Sequence, residues 1–409
     1  MIASLILSAA SVALPQEPVP PDGLSQLRPG ARPLQGDPQV PVPSEERALY
    51  PWLAVAPDGT VSASWMQPRP SAGTALLWAR RGADGSWSAV ETIAQGDDWF
   101  VNWADHPMHA VDDQGRVLAT WLKKVPGSTY SYHVMTRQRD EKGQWSDPKR
   151  LHEDDSATEH GFVSIAPVQG GGFVIAWLDG RATAQAKPMQ LRARRVLADG
   201  NFGPELLVDA RVCDCCSTTV SAESGGRFRL AYRDRSDEEV RDLGLARIAL
   251  GPKGTLTQVA ESESSPADGW VMPGCPVNGP ASASWQGEAA VVWFTAHPDP
   301  RIRLVRGEAN TIVRSERGVM GRVSCAVVGE QLAVSWLETR RGRKSWWLQW
   351  FRLDEGQPRP ATAARPIADV LGTRADGFLR LAPTAQGVLA LWIEAKPQRL
   401  RSALLQPDA

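Results

Sequence analysis

The feature that most constrains this chain is a short apolar run that ends in an aromatic residue and recurs seven times. The first copy is Val61-Ser-Ala-Ser-Trp65, and successive aromatic anchors lie 43 to 61 residues apart. The seven anchors are Trp65, Trp121, Trp177, Tyr232, Trp293, Trp336 and Trp392. A repeat of this length predicts an array of equivalent units and not a set of unrelated domains.

Each anchor run follows a tight polar turn, such as Pro57-Asp-Gly-Thr60, and a preceding strand-like run, so the two runs form a hairpin. A third run, a second turn and a fourth run complete the unit. Four antiparallel strands in roughly 40 to 60 residues are typical of a propeller blade. The sequence therefore predicts an all-β propeller of seven four-stranded blades, with six blades and one irregular repeat as the alternative. The aromatic anchors are interpreted as packing between blades.

The first 16 residues form an apolar run that ends in small residues, which is typical of a signal peptide. Residues 17–43 are rich in proline and are interpreted as an extended leader, and residues 44–409 as one propeller domain. The last unit has only three strand-like runs. Its fourth strand is expected from around Pro38 to Val42, which would close the ring by pairing the two ends of the chain. The expected location is secreted or periplasmic.

A net charge of -1 removes the electrostatic reason to expect binding to nucleic acid or to an anionic membrane surface. After the N-terminal run, no segment reaches the roughly 18 apolar residues that cross a bilayer, so no transmembrane segment is expected in the mature chain. The expected partner is a small molecule, a glycan, a metal ion or another exported protein.

The strand order predicts which face carries the site. If the first strand of each blade is innermost, the connectors between blades and the loops after the second strands lie on one face. The chemically distinctive residues fall in these segments, over the expected central cavity. Candidate ligand-binding residues are Trp103, His160, Asp179, Asp234, Arg235 and Asn278. Candidate catalytic residues are Asp105, Glu159, Arg181, Arg233 and Arg322.

The acidic residues of these connectors and loops, the rim carboxylates, have two possible roles. Asp105, Glu159 and Asp179 could supply a general acid and base. Alternatively, the rim carboxylates form ion pairs with rim arginines and have no catalytic part. His109, His133, His152 and His297 are interpreted as ordinary loop or strand residues.

Four of the five cysteines, Cys213, Cys215, Cys216 and Cys275, fall in two neighbouring connectors and can approach one another. They could form two disulfides, bind Cu(I) or Zn(II) as thiolates with help from His106 or His160, or supply a reactive thiol. Cys325 lies in a predicted innermost strand and is expected to be a buried free thiol.

Several of these segments resemble the sialidase-like propellers, also called BNR or Asp-box propellers, and a group of bacterial secreted proteins labelled exo-alpha-sialidase. The residues that carry the resemblance include Asn102-Trp-Ala-Asp105, Thr158-Glu-His-Gly-Phe-Val163, Trp177-Leu-Asp-Gly-Arg181, Arg211-Val-Cys-Asp-Cys-Cys216 and Gly274-Cys-Pro-Val-Asn-Gly-Pro280. Turns such as Asp84-Gly-Ser-Trp87 resemble degenerate Asp boxes.

The resemblance implies three arginines around a substrate carboxylate, a tyrosine–glutamate nucleophile pair and an aspartate acid/base. Arg181, Arg233 and Arg322 could supply the first feature. However, the four tyrosines stand at positions 50, 130, 132 and 232, and none lies in blades five to seven, where the nucleophile is expected. Three functions follow: a ligand-binding or soft-metal-binding propeller, a glycoside hydrolase for acidic sugars, and a protein-binding scaffold.

Overall fold

The computed structural model describes residues 41–259 and 266–407. Within these ranges the chain forms 28 strands in seven antiparallel sheets, together with three short 3₁₀ turns. The protein is a seven-bladed β-propeller, as the repeat predicts. Six copies of the repeat give a blade of four or more strands, and the last copy gives a blade of three described strands.

In the first four blades the strands follow chain order across each sheet. The strands of blades one and two are β1 (Leu49–Val55), β2 (Val61–Arg69), β3 (Gly73–Arg81), β4 (Glu91–Gly96), β5 (Met108–Val111), β6 (Val117–Lys124), β7 (Tyr132–Arg139) and β8 (Lys149–Arg150). Those of blades three and four are β9 (His160–Pro167), β10 (Phe173–Asp179), β11 (Met189–Val196), β12 (Leu206–Val212), β13 (Thr219–Glu223), β14 (Arg227–Arg233), β15 (Leu243–Leu250) and β16 (Leu256–Val259).

Blades five to seven complete the ring. Their strands are β17 (Ala281–Trp285), β18 (Glu288–Thr295), β19 (Arg301–Arg306), β20 (Ala309–Ser315), β21 (Val319–Val328), β22 (Gln331–Arg340), β23 (Arg343–Asp354), β24 (Gln357–Pro360), β25 (Arg365–Val370), β26 (Arg380–Thr384), β27 (Gly387–Ala395) and β28 (Gln398–Leu405). The 3₁₀ turns span Thr183–Gln185, Pro252–Gly254 and Arg374–Asp376.

The first strand of each blade is the innermost. These strands contact one another in the order β1, β5, β9, β13, β17, β21 and β26, and β26 contacts β1. The ring is therefore closed between the last and the first blade. Since every first strand starts on the same face, all connectors between blades reach the axis on that face.

Two blades depart from the four-strand pattern. In blade six the 12-residue β23 pairs with β24 near its end and with β25 near its start, so its outer edge is shared by two strands. In blade seven only β26, β27 and β28 pair within the described residues.

The fourth strand predicted around Pro38 to Val42 begins outside the described residues, which exclude positions 1–40. The described part of it, Pro41 and Val42, is not a strand. Val42 instead packs against the core shared by blades seven and one, and the Arg47 backbone N–H donates to the Gln398 carbonyl at 2.6 Å. The predicted signal peptide and most of the proline-rich leader also lie outside the described residues.

All seven aromatic anchors lie in the second strand of their blade and are at most 6% exposed. They pack between blades, as predicted. Trp65 of blade one, for example, shares a core cluster with Leu389 and Leu391 of blade seven. Burial of such large rings between neighbouring sheets supplies the main hydrophobic term that holds the ring together. In the described part of the chain, no helix has the length and apolar character needed to span a membrane.

Candidate functional site

The connectors between blades are joined to one another by hydrogen bonds around the axis. The Phe162 N–H of blade three donates to Asp105 Oδ1 at 2.7 Å. Between blades five and six, the Arg322 N–H donates to Asn278 Oδ1 at 2.8 Å, and the Arg322 guanidinium donates to the Gly377 carbonyl of blade seven at 3.0 Å. The predicted convergence of the connectors is thus present in the structure.

A cavity of about 210 Å³ lies on the axis, lined by the innermost strands. Its polar lining includes the hydroxyl residues Ser164, Ser282 and Ser324. Above it, the Trp103 ring stacks on Phe378 of blade seven with centroids 5.8 Å apart. Trp103 also packs against the core of blades three and four, so it connects that core with Phe378, which lines the cavity.

His106 contacts residues of blades one and seven. It stacks on Trp52 at 5.7 Å and contacts the Arg380 guanidinium, and both partners line the cavity. Burial, followed by the positive charge of Arg380, holds the pKa of His106 well below its usual value. The His106 ring is thus held by residues of blades one and seven, and the assistance of His106 to the cysteines stays a prediction.

Asp105 and Glu159, two of the carboxylates predicted to supply the acid and base, meet at one phenol. The Tyr132 hydroxyl lies 2.9 Å from Asp105 Oδ2 and 2.6 Å from Glu159 Oε1. A phenol has a single proton to donate, so both contacts are hydrogen bonds only if one carboxyl is itself protonated. Tyr132 was not singled out from the sequence, although it is one of only four tyrosines and precedes a histidine in the same strand.

The pKa shifts agree with a protonated carboxyl. Burial raises the pKa of Asp105 to about 7, against the lowering effect of hydrogen bonds from Phe162 and Tyr132. Burial, together with the negative charges of Asp105 and Asp214, raises the pKa of Glu159 to about 8. Burial and the negative charges of Asp105 and Glu159 raise the pKa of Tyr132, so the phenol keeps its proton.

Burial separates the roles of the three residues. Tyr132 is fully buried and Asp105 is 2% exposed, whereas Glu159 is only partly buried. Glu159 is thus the member that can touch a ligand, and the other two hold it. The close approach requires a glycine beside it, because a Cβ on Gly161 would lie 1.8 Å from Asp105 Oδ2.

An aromatic path leads from this group to the surface. Phe100 stacks on Tyr132 with centroids 4.3 Å apart, and Tyr130 meets the edge of Phe100 at 5.9 Å. Tyr130 is 58% exposed, which is high for a large ring. An exposed ring of this kind is amphipathic and suits contact with a ligand that is itself partly polar.

The three arginines expected to bind a substrate carboxylate already donate hydrogen bonds to other groups of the protein. Arg181 forms a two-pronged ion pair with the buried Asp179, with both distances 2.7 Å, and a further pair with Glu205 at 2.8 Å. Burial alone would raise the pKa of Asp179, but the hydrogen bonds from Arg181 and Trp177, together with the charges of His160 and Arg181, outweigh it and lower the pKa to about 2. The second role of the rim carboxylates, as partners of arginine, applies to this residue.

Arg233 is 1% exposed, and its guanidinium donates to the carbonyls of Arg241, Asn278 and Phe294 at 2.9, 2.6 and 2.8 Å. Arg322 donates to the Thr373 and Gly377 carbonyls and lies over the Trp103 ring at 4.8 Å. Together with the Arg181 pair, these contacts correct the expectation of three free arginines. The guanidinium N–H groups of these arginines connect loops. Asn278 also joins two connectors, through its hydrogen bond with the Arg322 N–H.

The cysteine cluster follows β12. Cys213 Sγ lies 3.7 Å from Cys215 Sγ and 3.8 Å from Cys216 Sγ, well beyond the roughly 2.05 Å of a disulfide. All five cysteines fall in the described ranges, and all are free. The two-disulfide alternative is therefore not present. Cys325 is a buried free thiol in β21, as predicted.

Cys213 has the environment of a thiolate. Arg241 donates to its sulfur at 3.0 Å. Hydrogen bonds with the thiols of Cys215 and Cys216, and the charge of Arg241, lower the pKa of Cys213, although burial acts against them. The pKa values of Cys215 and Cys216 are raised, by burial and by their sulfur neighbours, so these two residues favour the thiol form beside the Cys213 thiolate.

Cys275 stands apart from this trio. It is exposed, and its sulfur groups with Cys215 and the Asp214 carboxylate, all within 4.8 Å. Arg235 pairs with Asp214 at 3.3 Å and with Glu239 at 2.7 Å, and Asp234 accepts the Arg235 N–H at 2.7 Å. The predicted residues Asp234 and Arg235 thus lie beside the cysteines and orient Asp214.

The histidines divide into three groups. His109 is a core residue, as interpreted, since Ser62 and Ser64 hydroxyls lie 2.8 Å from its two ring nitrogens, and His297 is exposed. His133, His152 and His160, in contrast, form one cluster. The interpretation of His133 and His152 as ordinary loop or strand residues overlooked one signal. Three of the six histidines lie within 28 residues of the sequence.

No protein-family model and no curated protein matches this chain in sequence. Among solved structures, it is similar to a lectin from Burkholderia pseudomallei, with a TM-score of 0.54 at 8% identity over 89% of this chain and 100% of that one. It is also similar to an ulvan lyase of a polysaccharide lyase family, with a TM-score of 0.51 at 10% identity over 90% and 94%. An α-L-arabinofuranosidase from Fusarium graminearum gives 0.46 at 14% identity over 78% and 97%. The first two likenesses, with TM-scores above 0.5, concern the fold alone.

Proposed function

We propose that this protein binds and hydrolyses a glycan on the connector face, with Glu159 as the proton donor. The observation that carries the proposal is the partly exposed Glu159 carboxyl, whose pKa is raised to about 8 and which is held at 2.6 Å by the buried Tyr132 phenol. A carboxyl that stays protonated near neutral pH is the group that protonates a leaving glycosidic oxygen.

The charge of a second carboxylate, that of Asp214, acts on Glu159. The negative charge of Asp214 is one of the causes that raise the pKa of Glu159, and Asp214 is paired with Arg235 at 3.3 Å. Glu159 is thus the one of the two that stays protonated near neutral pH. Glycoside hydrolysis uses such a pair, one as acid and one as base or nucleophile.

Carbohydrate is favoured over other small ligands for two reasons. The exposed Tyr130 ring, linked through Phe100 to Tyr132, offers a stacking surface beside the acid. Two of the similar structures, with TM-scores above 0.5, are a lectin and a polysaccharide lyase. An exported location, where such glycans are met, is part of the proposal.

The sialidase-like assignment remains a narrower form of this proposal. Tyr132 and Glu159 resemble the tyrosine–glutamate pair of that family, but Tyr132 is fully buried and the three arginines are occupied. We therefore propose that the glycan need not be a sialoside.

The test is a panel of neutral and acidic aryl glycosides, with a fluorogenic sialoside included, together with a glycan array for binding. We expect turnover or binding for at least one class, at a site blocked when Tyr130 is replaced by alanine. Absence of both binding and turnover across the panel would remove the proposal.

A second candidate function is soft-metal binding by the cysteines, favoured by the three mutually close sulfurs of Cys213, Cys215 and Cys216. Arg241, which donates to Cys213 Sγ at 3.0 Å, stabilises the thiolate form that Cu(I) and Zn(II) require. Metal analysis with thiol titration on the purified protein tests it. We expect the Cys215→Ser/Cys216→Ser variant to lose the ion and Cys325→Ala to retain it. Unchanged metal content in the double variant would contradict thiolate ligation.

A further inference from the structure

We propose that His133, His152 and His160 bind one Zn(II) ion between blades two and three, with Asp154 as the fourth ligand. This site is separate from the cysteine cluster, and it does not depend on the glycan chemistry. The three side chains come from β7, from the connector after β8 and from the first residue of β9. Each offers one ring nitrogen, and the three nitrogens lie within 4.8 Å of one another.

Backbone carbonyls hold the Nδ1 atoms of two of the three rings. His160 Nδ1 lies 3.2 Å from the Thr158 carbonyl and 3.3 Å from the Tyr132 carbonyl, and His152 Nδ1 lies 3.0 Å from the Asp154 carbonyl. A carbonyl only accepts, so each Nδ1 carries a proton, and the neutral His152 ring has its lone pair on Nε2. His160 Nε2 lies 3.1 Å from Asp154 Oδ2, so a proton lies between these two atoms and must leave when zinc binds. A backbone carbonyl that fixes the histidine tautomer in this way is the usual outer partner of a metal-binding imidazole.

Two nitrogens of the cluster have no other use in the fold. In the part of the chain that the structure describes, the buried His152 Nε2 and His133 Nδ1 have no hydrogen-bond partner. His152 as a whole is only 2% exposed, so its nitrogen is not satisfied at the surface. Unpaired buried nitrogens are rare in folded proteins, and two of them in one histidine cluster point to a shared ligand.

Asp154 completes the set. Its Oδ2 lies 3.1 Å from His160 Nε2 and accepts the Ser156 N–H at 3.1 Å, so the carboxylate is already oriented. The Asp154 side chain is 19% exposed, which leaves a route from solvent. Three imidazoles and one carboxylate suit a borderline ion such as Zn(II), and the absence of sulfur from this set makes Cu(I) a poor match.

Ion binding requires a small rearrangement that the geometry defines. The His152 and His160 rings are stacked 3.8 Å apart with planes 5° from parallel, and His133 lies 4.9 and 5.4 Å from them. A metal lies in the plane of each imidazole that it binds, with bonds of roughly 2.0–2.1 Å. One of the two stacked rings must therefore turn about its Cβ–Cγ bond when the ion enters.

The test is zinc binding by the full chain in a Cys215→Ser background, which weakens the thiolate site. After removal of metal by a chelator, we expect one equivalent of Zn(II) to be retained on dialysis. His152→Ala and His133→Gln should each weaken binding by at least the roughly 10- to 100-fold that loss of an outer partner costs. The matched control is His297→Gln, at an exposed position in blade five, which should bind as the background does.

The result that would overturn the proposal is no bound zinc in the Cys215→Ser background, or unchanged zinc in both histidine variants. A measurement on the unaltered chain protects against a variant that does not fold. In the ring ¹⁵N spectrum, zinc should shift the signals of three imidazoles and leave those of His109, held by Ser62 and Ser64, in place. Zinc binding that leaves the signals of these three imidazoles in place would assign the ion to the thiolates and contradict the histidine site.

Discussion

Replacement of Glu159 by glutamine is expected to lower kcat/KM for glycan hydrolysis by about 10²–10⁴-fold, the usual contribution of a positioned general acid. Glutamine keeps the shape and can still contact Tyr132, but it has no proton to give to the leaving oxygen. The matched control is Glu153→Gln. Glu153 is a carboxylate of the same connector with a 74% exposed side chain, and its change should leave the rate within about twofold.

The pH dependence distinguishes Glu159 from a general charge effect. The acid works only while protonated, so kcat/KM should fall as pH rises past about 8, the pKa of Glu159. The Tyr132 hydrogen bond lowers this pKa, so Tyr132→Phe should move the fall to higher pH. The Asp105 charge raises the same pKa, and Asp105→Asn should therefore move the fall to lower pH.

These opposite displacements are checked by pH–rate profiles of the three proteins on one substrate. A merely structural role for Asp105 and Tyr132 would lower activity in both variants without moving the fall in opposite directions. Equal losses in Glu159→Gln and Glu153→Gln would contradict the role of Glu159 itself.

The fold could be predicted because its signals are local. Each blade repeats a hairpin whose second strand ends in an aromatic residue, so Trp177 or Trp336 could be assigned from its own few neighbours. The innermost position of the first strand then placed the connectors on one face. The closing of the ring was less accessible, because the contact of β26 with β1 joins residues more than 300 positions apart, and no local pattern encodes it.

The sequence predicted which face carries the site, but it did not predict which side chains contact one another there. Asp105 and Glu159 were singled out as acidic residues in connectors, yet their junction depends on Tyr132, which reaches them from the third strand of blade two. The same applies to His133 and His152, which meet His160 only across two blades. Residue type predicts what a side chain can do, whereas its partner depends on the packing of segments distant in sequence.

Replacement of Arg233 by alanine is expected to lower the free energy of unfolding by about 3–5 kcal/mol. Its guanidinium donates to three carbonyls, of Arg241, Asn278 and Phe294, and lies over the Trp270 ring at 5.2 Å. Without it, three acceptors lose their donor in a site that is 1% exposed, and each such loss costs about 1–3 kcal/mol, partly recovered where water enters. Urea unfolding measures the change as a lower midpoint at similar slope.

The matched control is Arg235→Ala, two positions along the chain. Arg235 has a 30% exposed side chain and pairs with Glu239 and Asp214 at the surface, so its loss should cost at most about 1 kcal/mol. The comparison decides between two roles for Arg233. If Arg233→Ala left the midpoint unchanged and abolished glycan binding, the residue would grip the ligand as the sequence suggested. A large loss of stability instead assigns it to the junction of blades four and five, where its backbone carbonyl also accepts the Cys213 N–H at 2.9 Å and so positions the cysteine cluster.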